Sequence, residues 1–195
     1  MPKKITLTIL FILSFLNIAN FNNVYGQNYK INNISNNNSS ENYPELSKFP
    51  TKPYKLGTYN LTAFGLKIYK IELHCEKPIF SYEVKSAIII NYQRKLIKEH
   101  LIERAINEIA RINNIKDNAL LNDYKIKLHE IFFNVDKGDR KTALFDPQEG
   151  VKLFLNGVAV GQIKDLVFAK RFMDIWLNQK SAYPKMTKAM LGEND

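Results

Sequence analysis

The stretch from 141 to 176 constrains the fold most, because it reads as strand, turn, strand, tight turn, strand and helix in immediate succession. Apolar residues recur at every second position from 151 to 155, which is the period of a half-buried strand. Asn156 and Gly157 follow, and both tolerate the positive φ angles of a type I′ hairpin turn. Residues 158–163 would then return as the partner strand, so this order predicts a β-hairpin that feeds a helix.

The helix after the hairpin is predicted to be amphipathic. Asp165 can cap it by accepting hydrogen bonds from the free amides of its first turn. Apolar residues then fall at helical spacing and predict the buried stripe Leu166, Ala169, Phe172, Met173 and Trp176. The residues expected to point away from that stripe are Lys170, Arg171 and Asp174. A hairpin followed by such a helix predicts a sheet with a helix packed on it.

The rest of the domain supplies further strands and helices. Residues 55–75 are typical of two strands with a break near Gly65, and residues 86–94 of a third strand. A helix is predicted over 95–113 and a less regular helical region over 116–133, with Arg104 among the polar positions of the first. A turn at 136–139 and a short helix from 181 to about 192 complete the order. Strands grouped before and after helices favour an α+β fold with an antiparallel sheet and helices on one face.

The N-terminal region differs from the remainder. Two lysines precede an apolar run of signal-peptide length, and Val24-Tyr25-Gly26 fits a cleavage site. We therefore expect residues 1–26 to be a signal peptide and the protein to be exported, with the periplasm favoured over full secretion. Residues 27–47 form an Asn/Ser-rich tract without apolar periodicity, which predicts a disordered linker. The domain would then occupy residues 48–195.

Charge and cysteine content bear on which partners, disulfides and metal sites this chain can have. The net charge is +9, and the lysines are dispersed rather than in blocks, which is typical of a solvated surface and is also compatible with contact to an anionic membrane surface. Export argues against nucleic-acid binding. Cys75 is the only cysteine, so no internal disulfide can form. His74, Cys75 and Glu76 alternate faces on a strand and cannot converge on one metal ion, and no glycine-rich phosphate loop is present, so neither metal nor cofactor is predicted.

Several short motifs, taken in order, carry a resemblance to a known family. They begin with the Gly57, Leu61 and Phe64-Gly65-Leu66-Lys67-Ile68-Tyr69 strand pair and the Tyr92-Gln93-Arg94 strand end. They continue with the helix over 97–112, Lys137-Gly138-Asp139-Arg140, Phe154-Leu155-Asn156-Gly157, the Asp165 to Leu177 helix and Met190-Leu191-Gly192. Together they resemble the chalcone isomerase-like family, in its bacterial exported branch. The resemblance implies an open-faced β-sandwich, in which a curved antiparallel sheet has helices packed on one face and a ligand cleft between the layers.

The same resemblance implies two possible activities, an enzymatic one and a ligand-carrying one. The family's enzymes cyclise a chalcone and use an arginine just after the glycines of the first strand, whereas residues 57–61 contain none here. Other members resemble carriers that hold a fatty acid in the cleft, with a cation and a tyrosine on the carboxylate. In this chain Lys67 or Arg94 would have to supply that cation. We therefore expect a non-catalytic domain that binds a small apolar or amphipathic ligand such as a fatty acid.

Five residues are candidates for the ligand site. Tyr92 and Arg94 lie two apart on one strand, hence on one face, and Tyr69 is a candidate for the same cleft. The candidate set is Tyr69, Tyr92, Arg94, Lys67 and Trp176, with core packing or a surface ion pair as the alternative for its members. Two other functions stay open: an isomerase or lyase of the chalcone isomerase type with a substitute cation, and a cell-envelope interaction domain whose cleft is filled. The sequence does not determine oligomeric state.

Overall fold

The computed structural model describes residues 43–193, which fold into one six-stranded antiparallel sheet and four α-helices. A short 3-10 helix, Pro44–Lys48, precedes the sheet. The strands are β1 Tyr54–Ala63, β2 Leu66–Cys75, β3 Ser86–Tyr92, β4 Arg140–Asp146, β5 Gly150–Leu155 and β6 Val158–Ile163. The helices are α1 Lys98–Asn113, α2 Asn118–Ile131, α3 Leu166–Leu177 and α4 Pro184–Leu191. The predicted element order and the α+β class with an open curved sheet are confirmed.

The strands pair in the order of the sequence, from β1 to β6, and the α1–α2 hairpin is inserted between β3 and β4. Tight turns set this register. Asn156 and Gly157 have φ angles of 53° and 84°, as the predicted type I′ turn requires, and Phe64 and Gly65 have 51° and 74° between β1 and β2. The Asp165 carboxylate accepts hydrogen bonds from the Val167 and Phe168 amides, so the predicted cap of α3 is confirmed.

Alternate residues of each strand point to the face that carries the helices, here called the helix face. Its cross-strand pairs include Ile71 with Ile90 and Leu73 with Ile88, all buried. At Gly57 on β1 a methyl group would lie 1.9 Å from the Ala189 carbonyl oxygen, so α4 lies directly on the strand. Glycine allows this close approach because it has no Cβ. Helix α4 therefore packs closely against β1.

Helix α3 buries a wider surface than the predicted stripe. Leu166, expected inside, is its first residue and 45% exposed, whereas Phe168 is fully buried and stacks on Tyr124 of α2. Asp174, expected outside, is buried and accepts a hydrogen bond of 2.7 Å from the Tyr82 hydroxyl. The difference arises because α3 contacts other helices and the loop before β3 as well as the sheet. A single apolar stripe in the sequence predicts only the face that lies on the sheet.

The opposite face of the sheet, here called the outer face, is covered in part by the segment that precedes β1. Phe49 packs in an apolar cluster with Ala87, Leu144 and Phe154. Glu45 is buried and accepts hydrogen bonds from Thr142 and from Arg140, whose Nε lies 3.2 Å away. Residues 43–47, which the sequence assigns to the linker, are thus packed on the sheet. The predicted signal peptide and linker residues 27–42 lie outside the described residues.

Among the described residues no helix is long and apolar enough to cross a membrane.

Candidate functional site

Two tyrosines form the centre of the candidate site on the helix face. Tyr69 of β2 and Tyr92 of β3 are cross-strand partners, and their rings meet edge to face with centroids 6.2 Å apart. Both lie near the end of the sheet where β2 begins and β3 ends, here called the tyrosine end. Burial raises the pKa of each hydroxyl well above its usual value. Both hydroxyls are therefore protonated at neutral pH and can donate hydrogen bonds.

An arginine from α1 acts electrostatically on Tyr69. Burial is the main influence on the Tyr69 pKa, and the charge of Arg104 acts against it by favouring a phenolate. Arg104 Nη2 donates a hydrogen bond of 2.7 Å to the Tyr183 hydroxyl, and its guanidinium carbon lies 5.4 Å from the centroid of that ring. Arg104 thus stands between the segment before α4 and the sheet. It brings a permanent positive charge to the helix face.

Helix α1 also fixes the segment that carries Tyr183. Glu108, one turn after Arg104, is buried and accepts a hydrogen bond of 2.7 Å from the Ala182 amide. The same carboxylate pairs with Arg111 at 2.6 Å, and Arg111 in turn donates to the Lys180 carbonyl. Two contacts, from Glu108 to the Ala182 amide and from Arg111 to the Lys180 carbonyl, therefore hold residues 180–182 against α1. They set the position of Tyr183 beside Arg104.

Helices α3 and α4 enclose Tyr69 from above. The Tyr69 hydroxyl donates to Met186 Sδ of α4 at 3.7 Å, and the Trp176 indole of α3 lowers the pKa of that hydroxyl by hydrogen bonding. Trp176 is half-buried and meets Phe172 edge to face at 5.4 Å. The Thr187 hydroxyl donates to the Trp176 carbonyl at 2.9 Å and so ties α4 to α3. The structure therefore brings the predicted candidates Tyr69, Tyr92 and Trp176 together.

A lysine from β4 is the second cation of the helix face. Lys141 Nζ lies 4.3 Å from the centroid of Phe132, 6.0 Å from that of Tyr92, and 3.2 Å from the Phe133 carbonyl oxygen. Burial lowers the pKa of Lys141 to about 7, although Asp139 opposes the shift. Among the residues described, no carboxylate forms an ion pair with Lys141.

The two other predicted candidates lie at the margin of this group. Strand β3 ends at Tyr92, two residues short of the predicted end, and the Gln93 amide bonds the Ile68 carbonyl at 2.9 Å. Arg94 therefore sits in a bend beyond the strand rather than beside Tyr92 on it. Lys67 is exposed at the start of β2. Within residues 43–193 neither side chain makes a hydrogen bond, an ion pair or a ring contact.

Sequence reasoning missed Arg104 and Lys141 as site residues. Arg104 follows Glu103 and precedes the buried Ala105, so it lies at the edge of the apolar stripe of α1 rather than opposite it. Lys141 occupies a helix-face position because it pairs with Ile90 in the register of β3 and β4. Alternation along β4 could have predicted this position, because Lys141 shares a face with the apolar residues Ala143 and Phe145.

The part of the chain that the structure describes contains no cluster of three or more His, Cys, Asp and Glu side chains suited to a metal ion. His74 lies on the outer face, where it contacts Glu72 at 3.1 Å, whereas Cys75 is buried on the helix face. Alternation along β2 separates them, as the sequence indicates.

Comparison with known proteins agrees with this architecture. The chalcone isomerase-like family matches residues 62–192. No curated protein sequence gives a significant match. Among solved structures, a fatty-acid binding protein from Arabidopsis thaliana superposes with a TM-score of 0.55 at 11% sequence identity, and the match covers 72% of this chain and 87% of that one. The family match spans most of the domain, and the chain therefore belongs to the chalcone isomerase-like family.

Proposed function

We propose that this protein binds an amphipathic monocarboxylate, such as a fatty acid, on the helix face, with the carboxylate held between Arg104 and Tyr69. The observation that carries the proposal is the position of Arg104. The resemblance implies an arginine on the first strand, and residues 57–61 have none. Arg104 supplies the missing charge from α1, within electrostatic reach of the Tyr69 hydroxyl.

The chemistry of this pair suits a carboxylate. A guanidinium offers several N–H donors in a planar fork, and hydrogen bonds to an ionised acceptor are stronger than neutral ones. The raised pKa of Tyr69 keeps its hydroxyl protonated, so it donates to a carboxylate instead of repelling it. Partial desolvation strengthens both interactions. The tyrosine and the arginine together would fix the polar end of the ligand.

The surroundings of the pair suit an apolar chain. Trp176, Met186 and Phe172 lie on the helix side of Tyr69, and Leu61 and Ile71 flank it on the sheet. Binding sites for small molecules are mostly apolar, with a few polar groups that set orientation. The Arabidopsis protein that shares this fold is described as a fatty-acid binding protein. That likeness supports a fatty acid as the ligand class proposed for this chain.

Extraction of the purified protein with organic solvent, followed by mass spectrometry, tests the proposal. A long-chain monocarboxylate should be recovered at close to one equivalent, and the delipidated protein should bind palmitate again. Recovery of no such compound, together with failure to bind palmitate, would overturn the proposal. Incubation with a 2′-hydroxychalcone is the parallel arm. Acceleration of flavanone formation over buffer would replace the carrier function with an isomerase.

We also propose that the protein works outside the cytoplasm. The N-terminal apolar run and the following Val24-Tyr25-Gly26 support cleavage before Gln27. N-terminal sequencing of protein recovered from the periplasm of an expressing bacterium should begin at Gln27. An intact Met1 on cytoplasmic protein would contradict export.

A further inference from the structure

Exposed apolar side chains occur at both ends of the sheet, with Tyr54 and Ile79 at the opposite end and a further set at the tyrosine end. Phe64, 61% exposed, and Leu66, 43% exposed, form the tip of the β1–β2 hairpin. Ile97 and Phe133 are also exposed and flank the Leu96–Val135 bridge, where the α1–α2 hairpin leaves and rejoins the sheet. Val158, at the start of β6, is exposed at the same end but on the opposite edge of the sheet from Phe64, so it lies outside this group. Apolar exposure is therefore common to both ends, and the charge around these side chains decides which partner this end can contact.

Cations surround these apolar side chains. The tyrosine end carries five surface cations, Lys67, Arg94, Lys95, Lys98 and Lys137. Four acids lie near them, Glu99, Glu130, Asp136 and Asp139. The Asp139 carboxylate accepts from Asn156 Nδ2 at 2.9 Å and from the Asp136 amide at 2.7 Å, and these neutral donors leave its negative charge in place. The local charge is thus positive, in keeping with the net +9 of the chain.

We propose that the tyrosine end docks on an anionic lipid bilayer, with Phe64 and Leu66 inserted at the headgroup boundary and the surrounding lysines and arginine on lipid phosphates. Charge complementarity selects this partner, since anionic surfaces attract scattered surface cations and accept apolar side chains that project singly between them. Phe64 occupies the tight turn at the hairpin tip, with a φ angle of 51°. An apolar protein groove would instead demand a continuous apolar face on this side.

Membrane docking is a property separate from ligand binding, but the docking surface lies beside the proposed ligand site. Tyr69 lies three residues along β2 from Leu66, and Lys141 contacts the Phe133 carbonyl at 3.2 Å. The surface that meets the bilayer is thus adjacent to the proposed site. A fatty acid that leaves the membrane would enter the protein without crossing bulk water.

Vesicle co-sedimentation tests the docking. The purified protein should pellet with vesicles of phosphatidylcholine and phosphatidylglycerol (about 70:30) and remain in solution with phosphatidylcholine alone, and added salt should release it because the attraction is screened. The double variant Phe64→Asp/Leu66→Asp should lower the partition coefficient at least tenfold. Aspartate tolerates the left-handed conformation at 64, so the turn is kept.

Tyr54→Asp/Ile79→Asp is the matched control, because it adds the same two charges and Tyr54 and Ile79 are 54% and 78% exposed at the opposite end of the sheet. It should sediment as the unmodified protein does. A second pair compares Lys67→Glu with Lys77→Glu, both exposed lysines, of which the first should weaken sedimentation and the second should not. Equal losses from both ends would overturn the assignment of the surface, and absence of sedimentation at low salt would overturn docking itself.

Palmitate binding in vesicle-free solution separates this inference from the proposed function. The Phe64→Asp/Leu66→Asp variant should bind palmitate in solution with unchanged affinity but acquire it from anionic vesicles at least tenfold more slowly. Docking without palmitate binding would refute the carrier function alone. Palmitate binding without docking would refute the membrane surface alone.

Discussion

Replacing Arg104 with methionine should weaken the binding of a fatty acid and leave the binding of the fatty alcohol of equal length unchanged. The substitution removes the guanidinium but keeps an apolar stem of similar length. Arg104 acts on the Tyr69 hydroxyl and donates to the Tyr183 hydroxyl at 2.7 Å, so the variant removes charge from the place proposed for the carboxylate. An alcohol has no such charge and needs no cation.

The expected size of the effect follows from the exposure of Arg104. Hydrogen bonds to charged groups contribute about 1.5–3 kcal/mol, and a partly exposed site belongs at the lower end of that range. A loss of about 1.5–2 kcal/mol corresponds to a dissociation constant roughly 10- to 30-fold higher. Isothermal titration of delipidated protein with palmitate and with hexadecanol would measure both affinities.

The chain offers a matched control in Arg171 of α3. Its Nη1 donates a hydrogen bond of 2.8 Å to the Tyr124 hydroxyl, so it forms the same type of arginine–tyrosine pair as Arg104, outside the proposed site. Arg171→Met should leave both affinities unchanged. If Arg104→Met binds palmitate as tightly as the unmodified protein, or if Arg171→Met loses as much, the assignment of the carboxylate to Arg104 is refuted.

Three further predictions concern the residues around the site. Burial lowers the pKa of Lys141 to about 7 from 10.5, so between those values the unfolded chain binds more protons there and stability rises with pH. From pH 6 to pH 8 the free energy of unfolding, measured with urea, should rise by at most about 1.4 kcal/mol more for the unmodified protein than for Lys141→Met. An equal change with pH in the two proteins would contradict this prediction. Glu108→Ala breaks the contacts to Arg111 and the Ala182 amide, so it should lower the free energy of unfolding by about 1–3 kcal/mol and weaken palmitate binding. The control Glu103→Ala, at an exposed position of the same helix, should change neither. Gly57→Ala places a methyl 1.9 Å from the Ala189 carbonyl oxygen and should cost about 1–3 kcal/mol, and a melting temperature that does not fall would show that α4 does not pack on β1 as described.

Local patterns predicted the elements because the evidence for them is local. The Asn156-Gly157 turn and the Asp165 cap depend on backbone conformation and neighbouring amides, and both were found where the sequence indicated. The faces of single strands were also readable. Alternation along 151–155 places Phe154 on the face opposite Val151, Leu153 and Leu155, and Phe154 does lie on the outer face, where it is buried against Phe49.

Contacts between distant segments could not be anticipated in the same way. Glu45 is buried only because Arg140 and Thr142, almost a hundred positions away, bind its carboxylate, and nothing near Glu45 in the sequence marks it. Arg104 belongs to the candidate site because α1 is turned so that Arg104 bonds the Tyr183 hydroxyl and its charge acts on Tyr69. The orientation of a helix on a sheet is decided by packing across the whole domain, and hydrophobic periodicity defines only its buried stripe.

A crystal structure of the delipidated protein in complex with palmitate would test the central claim most directly. The account predicts carboxylate oxygens within about 2.7–3.2 Å of an Arg104 nitrogen and of the Tyr69 hydroxyl oxygen, with the chain beside Trp176 and Met186. A carboxylate found on the outer face, or a palmitate on the helix face with its carboxylate away from Arg104, would contradict it.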